Sequence, residues 1–163
     1  MRLVIQRVSS ATVSIKIPGS RSPATGRAGI SRDQIVGQIG PGFLVYVGFG
    51  VGDTQATVDH LTHKLLHLRV MADDQDRFNR SVLDTHGDIL IVSQFTLYAD
   101  LKGHRPSFTK ALPPIKAQIL YDYFINKLKE SSLNIQSGTF GAMMEVTSTN
   151  SGPVTIIMES LHE

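Results

Sequence analysis

Residues 89–96, ILIVSQFT, join an apolar run to a polar end, and this stretch decides the expected fold. Consecutive branched aliphatic residues are typical of a strand that is buried on both faces of a sheet. A second apolar run, FLVYVGFG at 43–50, predicts a strand that pairs with residues 34–40 through the turn signal Gly40-Pro41-Gly42. A central, buried sheet therefore forms the expected core.

Two amphipathic segments predict the helices that cover this sheet. The first begins at Asp53 or Thr54, either of which can cap it, and runs to about Arg69. The second opens at Pro113-Pro114, because proline is well tolerated in a first helical turn. The apolar faces contain Val58, Leu61, Leu65 and Leu68 in the first helix, and Ala117, Leu120, Tyr121, Phe124 and Leu128 in the second.

The remaining segments complete a single mixed α/β domain over residues 1–163. Residues 18–32 are rich in Gly, Ser, Pro and Arg and predict a mobile loop inserted in a hairpin. Residues 150–155, NSGPVT, predict a turn between two strands. We expect a curved, barrel-like sheet covered by two main helices, with further strands at 3–8, 11–17, 133–137, 143–149 and 154–159.

Composition and charge narrow the functional classes. The chain of 163 residues has a formal net charge of +2, which is too weakly basic for a permanent nucleic-acid binder but compatible with brief contact to one RNA end. It contains no cysteine, which excludes disulfides, thiolate metal sites and cysteine nucleophiles. Because no apolar run approaches the roughly 18 residues of a membrane span and no secretory signal is evident, we expect a cytoplasmic protein without membrane contact.

Two groups of possible metal ligands are weak candidates. His60, His63 and His67 lie within a narrow arc of the first helix, but this arc is opposite the apolar face and has no HExxH pattern. The acidic segment 73–76, DDQD, lacks the central glycine and terminal glutamate of a calcium loop. We therefore expect no metal and no cofactor.

The polar end of the 89–96 stretch is a stronger candidate site. Ser93, Gln94 and Thr96 follow a buried strand, where polar side chains need hydrogen bonds or a chemical role. An unactivated threonine hydroxyl is a poor nucleophile, however, and no base adjoins it in sequence. From the residues alone, a satisfied strand end and a reaction site remain equally supported. The backbone carbonyls of Gly152-Pro153 could likewise contact a ligand or simply form a turn.

Taken together, SQFTL at 93–97 and NSGPVT at 150–155 resemble the paired signatures of the D-aminoacyl-tRNA deacylase family. The resemblance implies a homodimer with active sites at the subunit interface. It implies hydrolysis of the ester that joins a D-amino acid, and also glycine, to the terminal adenosine of tRNA, as chiral proofreading in translation. Nearly the whole chain takes part, through VIQRV at 4–8, GFLVYVG at 42–48, RPSF at 105–108, YDYF at 121–124 and TFGAMMEV at 139–146.

The same resemblance implies roles for individual residues. The reaction site would be lined by Ser93, Gln94, Phe95 and Thr96. A cis-proline turn formed by Gly152 and Pro153, braced by Arg7, would enter the partner's pocket and select chirality. The terminal adenosine would be held by Phe140, Met143 and Met144. The family usually has Asp where this chain has Ser151. From its charge, we expect the loop 100–112 to contact tRNA through Lys102, His104, Arg105 and Lys110.

Three alternatives remain open. A related editing deacylase would use the same fold on mischarged L-aminoacyl-tRNA, although SQFT in place of a variant motif argues against it. A non-enzymatic nucleic-acid-binding protein would ignore the 3′-aminoacyl group. A dimeric scaffold without activity is the third, and it would not account for the polar residues SQFT at the end of a buried strand.

Overall fold

The computed structural model describes residues 1–19 and 29–160, and its centre is a six-stranded sheet that forms a nearly closed barrel. The helices are α1 (Gln55–Leu66) and α2 (Pro114–Lys129), and a short 3-10 helix spans Phe95–Tyr98. The strands are β1 (Arg2–Gly19), β2 (Gly29–Ile39), β3 (Gly42–Gly48), β4 (Met71–Ala72), β5 (Phe78–Arg80), β6 (Asp88–Ser93), β7 (Ile135–Ser137) and β8 (Met144–Glu159). The expected mixed α/β fold is confirmed.

Strand β1 organises the sheet because it pairs on both edges. Its first half pairs with β3 and its second half with β2, while β8 runs antiparallel along the opposite edge. Strands β3, β6 and β7 are parallel. Parallel pairing brings the carboxyl ends of β6 and β7 to one edge of the sheet, and the chain enters the 3-10 helix there.

The apolar run of β6 is buried on both faces, as predicted. Ile89 and Ile91 pack toward α1 and α2, in a core that includes Phe124. Leu90 and Val92 pack into a second core on the opposite face of the sheet. Because successive side chains of β6 are buried on opposite faces of the sheet, none of them faces solvent. This explains why the sequence of the strand is continuously apolar.

The two predicted helices are confirmed, with one boundary shifted. Thr54 is the N-cap of α1, where its hydroxyl accepts a hydrogen bond from the Thr57 N–H. The helix ends at Leu66 rather than near Arg69, because tight turns at residues 67–70 lead the chain into β4. The predicted apolar face of α2 is entirely buried.

One strand pairing and several strand boundaries predicted from the sequence were wrong. Residues 34–39 pair with β1, and β3 pairs with β1 and β6, so β2 and β3 are not paired with each other. Segments 3–8 and 11–17 form the single strand β1, in which register shifts around Val8 bend the strand without ending the pairing. Residues 144–149 and 154–159 likewise belong to the single strand β8, so NSGPVT forms a bulge within one strand and not a turn between two.

The segment 18–32, predicted to be a mobile loop, is described by the structure only at its two ends. Residues 18–19 and 29–32 belong to β1 and β2, and Ile17 pairs with Arg32. Residues 20–28 lie outside the described part of the chain. The acidic segment 73–76 lies in the turn of a small hairpin between β4 and β5. No helix within residues 1–19 and 29–160 is both long and apolar enough to cross a membrane.

Candidate active site

The polar end of β6 opens into an apolar pocket of about 620 Å³, a volume typical of small-molecule sites. Ser93, Gln94 and Phe95 line one side of the pocket. The segment after β7 contributes Phe140, Met143 and Met144. The loop before α2 contributes Phe108, Ala111, Leu112 and Pro113. The structure thus brings together two groups of predicted site residues that lie far apart in sequence.

Phe95 and Thr96 begin the 3-10 helix beside this pocket. The Gln94 N–H donates to the Val47 carbonyl at 2.7 Å, which fixes the start of the helix on β3. Within the described residues, neither the Phe95 N–H nor the Thr96 N–H donates a hydrogen bond to another part of the chain. Two adjacent unpaired backbone donors can stabilise a developing oxyanion.

The side chains at this strand end differ in exposure from the sequence expectation. Thr96 is exposed, and its hydroxyl accepts a hydrogen bond from the Gln94 side-chain amide. Ser93 and Gln94 are half-buried, whereas Phe95 is 58% exposed. Because Thr96 is exposed, burial does not require its hydroxyl to have a hydrogen-bond partner. The hydroxyl nevertheless has one within the turn.

Contacts from two directions hold the 3-10 helix in place. The rings of Phe95 and Phe108 meet edge to face at a centroid distance of 4.9 Å. On the other side, the Arg2 guanidinium donates to the Leu97 carbonyl at 2.7 Å and lies over the Tyr98 ring. Neither Phe108 nor Arg2 was predicted from the sequence to support this helix, although Phe108 lies within the RPSF motif.

A buried tyrosine behind the pocket supports its floor. The Tyr121 hydroxyl donates to the carbonyls of Ile91 and Gly138, at 3.1 and 3.4 Å, and thereby links β6 to the segment after β7. The Tyr121 ring packs against Phe140 at 5.4 Å. Burial raises the pKa of Tyr121 far above its ordinary value, so the phenol stays protonated and serves as a donor.

Gly152 and Pro153 lie in a projecting bulge of β8, hereafter the 151–154 bulge. Because Gln6 pairs with Thr155 and Val8 with Asn150, four residues of β8 stand opposite one residue of β1. The Gly152–Pro153 peptide bond is cis, and both residues are exposed. Neither residue lines this pocket.

Arg7 is the residue of β1 that faces this bulge. Its Nε donates to the Ser151 carbonyl at 2.9 Å, and its Nη1 donates to the Val70 carbonyl at 2.8 Å. The first contact is to backbone, so it does not depend on the side chain at position 151. Gly152 has a φ of +132°, and a Cβ there would lie 2.9 Å from Arg7 Nη2 and 2.8 Å from Val154 Cγ2. Glycine is therefore the residue that fits.

The loop 100–112 presents the basic residues at the surface. Backbone hydrogen bonds between Asp100 and Ser107 close it into a compact turn. Its four candidate tRNA contacts, Lys102, His104, Arg105 and Lys110, are exposed. Lys110 lies 3.5 Å from the Asp100 carboxylate, which offsets part of its charge.

The possible metal ligands are otherwise engaged. The His63 and His67 rings stack at 4.2 Å, and His67 Nδ1 lies 2.8 Å from the His63 carbonyl oxygen. The Asp73 carboxylate accepts hydrogen bonds from the N–H groups of Gln75 and Arg77, which lower its pKa. Among residues 1–19 and 29–160, no three His, Asp or Glu side chains are placed to hold a metal ion.

Comparison with known proteins identifies the family that this chain resembles. The model described as D-Tyr-tRNA(Tyr) deacylase matches residues 4–159. The D-aminoacyl-tRNA deacylase of Roseiflexus sp. (strain RS-1) is 45% identical over 161 residues, covering 98% of this chain and 94% of the relative. That of Aquifex aeolicus (strain VF5) is 44% identical and covers 98% of both chains.

Two solved structures have the same fold. The c-Myc DNA Unwinding Element Binding Protein has a TM-score of 0.84 and 37% identity, covering 99% of this chain and 100% of that chain. A probable eukaryotic D-amino acid tRNA deacylase has a TM-score of 0.77 at 20% identity, covering 96% of this chain and 97% of that one, a likeness of fold alone. The resemblance identified from the two sequence motifs is confirmed: the chain belongs to the D-Tyr-tRNA(Tyr) deacylase family, enzymes that hydrolyse the ester bond of aminoacyl-tRNA.

Proposed function

We propose that this protein uses the pocket at the end of β6 to hydrolyse D-aminoacyl-tRNA, and glycyl-tRNA, to free tRNA and amino acid in the cytoplasm. One observation carries the proposal within this family. Of two consecutive unpaired backbone donors, at Phe95 and Thr96, the first belongs to a residue that lines an apolar pocket, and the described lining of this pocket contains no ionisable side chain. Such a site can stabilise an oxyanion, but it offers no general base of its own.

The aminoacyl ester needs little more than this, because it is already activated. A positioned water attacks the carbonyl carbon, and the N–H groups of Phe95 and Thr96 stabilise the negative oxygen. The ester C–O bond then breaks, and the 3′-oxygen of the terminal ribose leaves with a proton that the neighbouring 2′-hydroxyl helps to transfer. The Thr96 hydroxyl positions water or substrate. The rival mechanism, with Thr96 as a covalent nucleophile, requires an acyl-enzyme that can be trapped.

The apolar side of the pocket fits the terminal adenosine. Phe140, Met143 and Met144 present aromatic and thioether surface, which packs well against a nucleobase. Met143 is 91% exposed in the single subunit, so an adenine ring placed here would cover it.

The 151–154 bulge accounts for selectivity if the protein is a homodimer. It is exposed and lies outside its own pocket, as expected of a segment that enters the pocket of a partner. The carbonyls of Gly152 and Pro153 would then approach the α-carbon and exclude an L side chain, while a D side chain points outward. A wall of this kind tolerates many D side chains and does not reject glycine.

The loop 100–112 is suited to the acceptor end of tRNA. Lys102 and Arg105 are the best placed cations, since Lys110 is paired with Asp100. His104 can add a hydrogen bond to phosphate or sugar.

A second candidate function follows from the likeness to the c-Myc DNA Unwinding Element Binding Protein. A nucleic-acid-binding protein on this fold would bind without turnover, and its affinity would not depend on the 3′-aminoacyl group. An editing deacylase for mischarged L-aminoacyl-tRNA is the enzymatic alternative.

The test compares release of tyrosine from D-Tyr-tRNA and L-Tyr-tRNA, with EDTA present, for the wild type and Thr96→Ala. We expect rapid release from the D form only, and residual activity in the variant because the backbone donors remain. No release from either form would favour the binding protein, and release from the L form would favour the editing enzymes. Complete loss of activity in Thr96→Ala, with a trapped acyl-enzyme in the wild type, would overturn the positioning role of Thr96.

A further inference from the structure

The side chain of Asn150 closes the 151–154 bulge at its base. Its Oδ1 accepts a hydrogen bond from the Val154 N–H at 2.8 Å. Its Nδ2 donates to the Val154 carbonyl at 3.3 Å and to the Thr155 hydroxyl at 3.1 Å. One amide therefore joins the residue before the bulge to the residues where regular pairing resumes.

These hydrogen bonds replace part of the strand ladder. Opposite the bulge, β1 offers only Arg7, so β1 cannot pair with all four bulge residues. Arg7 holds the first of them through the Ser151 carbonyl. Asn150 holds the last of them, and Val154 is also anchored in the main core. Gly152 and Pro153 lie between these two attached residues.

Asparagine is chemically suited to this position. The contacts need one acceptor for an N–H group and donors for two oxygens, and a carboxamide supplies both on one planar group. Aspartate keeps the shape and the acceptor but loses the donors, and alanine loses all three contacts.

We propose that Asn150 is a positioning residue for stereochemical selection, because it fixes the shape of the bulge that carries Gly152 and Pro153. This inference rests on the proposed function, in which the bulge forms the wall of a partner's pocket. A wall excludes an L side chain only while its carbonyls stay in place. The oxyanion donors at residues 95–96 lie on a different element, so turnover of D substrate depends much less on Asn150.

The experiment measures kcat/KM on D-Tyr-tRNA and L-Tyr-tRNA for the wild type, Asn150→Ala and Asn150→Asp. Thr155→Val is the matched control, because it removes one acceptor and leaves both contacts of Asn150 with Val154. We expect the ratio of D to L to fall roughly tenfold in Asn150→Ala, a factor at the low end of what the loss of its three hydrogen bonds corresponds to. Asn150→Asp should show a similar fall and Thr155→Val a smaller one, while the D rate changes little.

A purely structural role would give a different result. It would lower the urea midpoint and both rates together and leave the ratio of D to L at the wild-type value, which would overturn the inference while the proposed function stands. If Asn150→Ala does not fold, the isosteric Asn150→Asp decides the question. A wild type that releases no D-tyrosine would overturn the proposed function and this inference together.

Discussion

Replacing Gly152 by alanine tests the geometry of the 151–154 bulge most sharply. The φ of +132° is one that L side chains rarely adopt, which costs about 1–3 kcal/mol. The new Cβ would also lie 2.8 Å from Val154 Cγ2 and 2.9 Å from Arg7 Nη2, and overpacking of this kind costs about 1–3 kcal/mol. We expect Gly152→Ala to lower the free energy of unfolding by about 2–6 kcal/mol.

Two other glycines separate these contributions. Gly141 has a φ of +73° but nothing within 4 Å of a built Cβ, so Gly141→Ala should cost only the backbone term of about 1–2 kcal/mol. Gly103 also has open space and carries no such φ, so Gly103→Ala should change stability by no more than about 0.5 kcal/mol. The difference between the Gly152 and Gly141 variants isolates the contact with Arg7 and Val154.

The assay is urea unfolding at one fixed protein concentration, because subunit association would make stability depend on concentration. We also expect Gly152→Ala to lose discrimination between D- and L-Tyr-tRNA, since Arg7 or the bulge must move to admit the methyl group. Suppose that Gly152→Ala is as stable as Gly141→Ala and discriminates between D- and L-Tyr-tRNA as well as the wild type. This result would refute the close packing of Gly152 against Arg7 and Val154.

Three further predictions concern the tRNA contact, the absence of a base and the pocket floor. Neutralising Lys102 and Arg105 together should reduce the slope of log kcat/KM against log salt by about 1.4–1.8, whereas Lys110→Gln should reduce it less, because Lys110 is already paired. His104→Gln should leave the shape of the pH–rate profile unchanged, since the described pocket lining contains no ionisable group; a profile that differs in shape from that of the wild type would contradict this. Tyr121→Phe should cost about 1 kcal/mol of stability at neutral pH. Because burial raises the Tyr121 pKa, the folded wild type retains a proton that the unfolded chain releases above pH 10.0, so wild-type stability should fall with rising pH more steeply than that of the variant in urea titrations.

The sequence predicted the parts of the fold that depend on local patterns. The apolar run of β6 identified a strand buried on both faces, and Thr54 and Pro114 marked the starts of the two helices. It did not predict the continuity of β1 and β8. A bulge interrupts the alternation of side chains locally while the strand pairing resumes beyond it, and a local pattern cannot distinguish this from a turn.

The candidate site was predictable only in part, for a similar reason. Their position at the polar end of an apolar strand identified residues 93–96 as candidates. Their proximity to Phe140 and Met144, however, follows from the parallel pairing of β6 with β7. Register between distant strands is a property of the sheet, and only the family resemblance implied it. Asn150 and Phe108 lie within the NSGPVT and RPSF motifs, but the side-chain contacts on which their roles depend follow from the fold.

Hybrid dimers provide the most direct test of an active site shared between subunits. One subunit type carries Phe95→Pro, which removes a proposed oxyanion donor at a position where Gln94 lies outside the α region (φ −147°, ψ 87°) that a following proline disfavours. Phe95→Ala, which keeps the N–H, is its control. The other type carries Pro153→Ala, which should hydrolyse D- and L-Tyr-tRNA with reduced discrimination.

The measurement is the ratio of D to L hydrolysis when Pro153→Ala subunits are refolded with excess Phe95→Pro subunits. The active pockets then face wild-type bulges, and we expect the ratio to return toward the wild-type value. A ratio that stays at the value of the Pro153→Ala homodimer would contradict selection by the partner's bulge. So would a Pro153→Ala protein that folds and discriminates as well as the wild type.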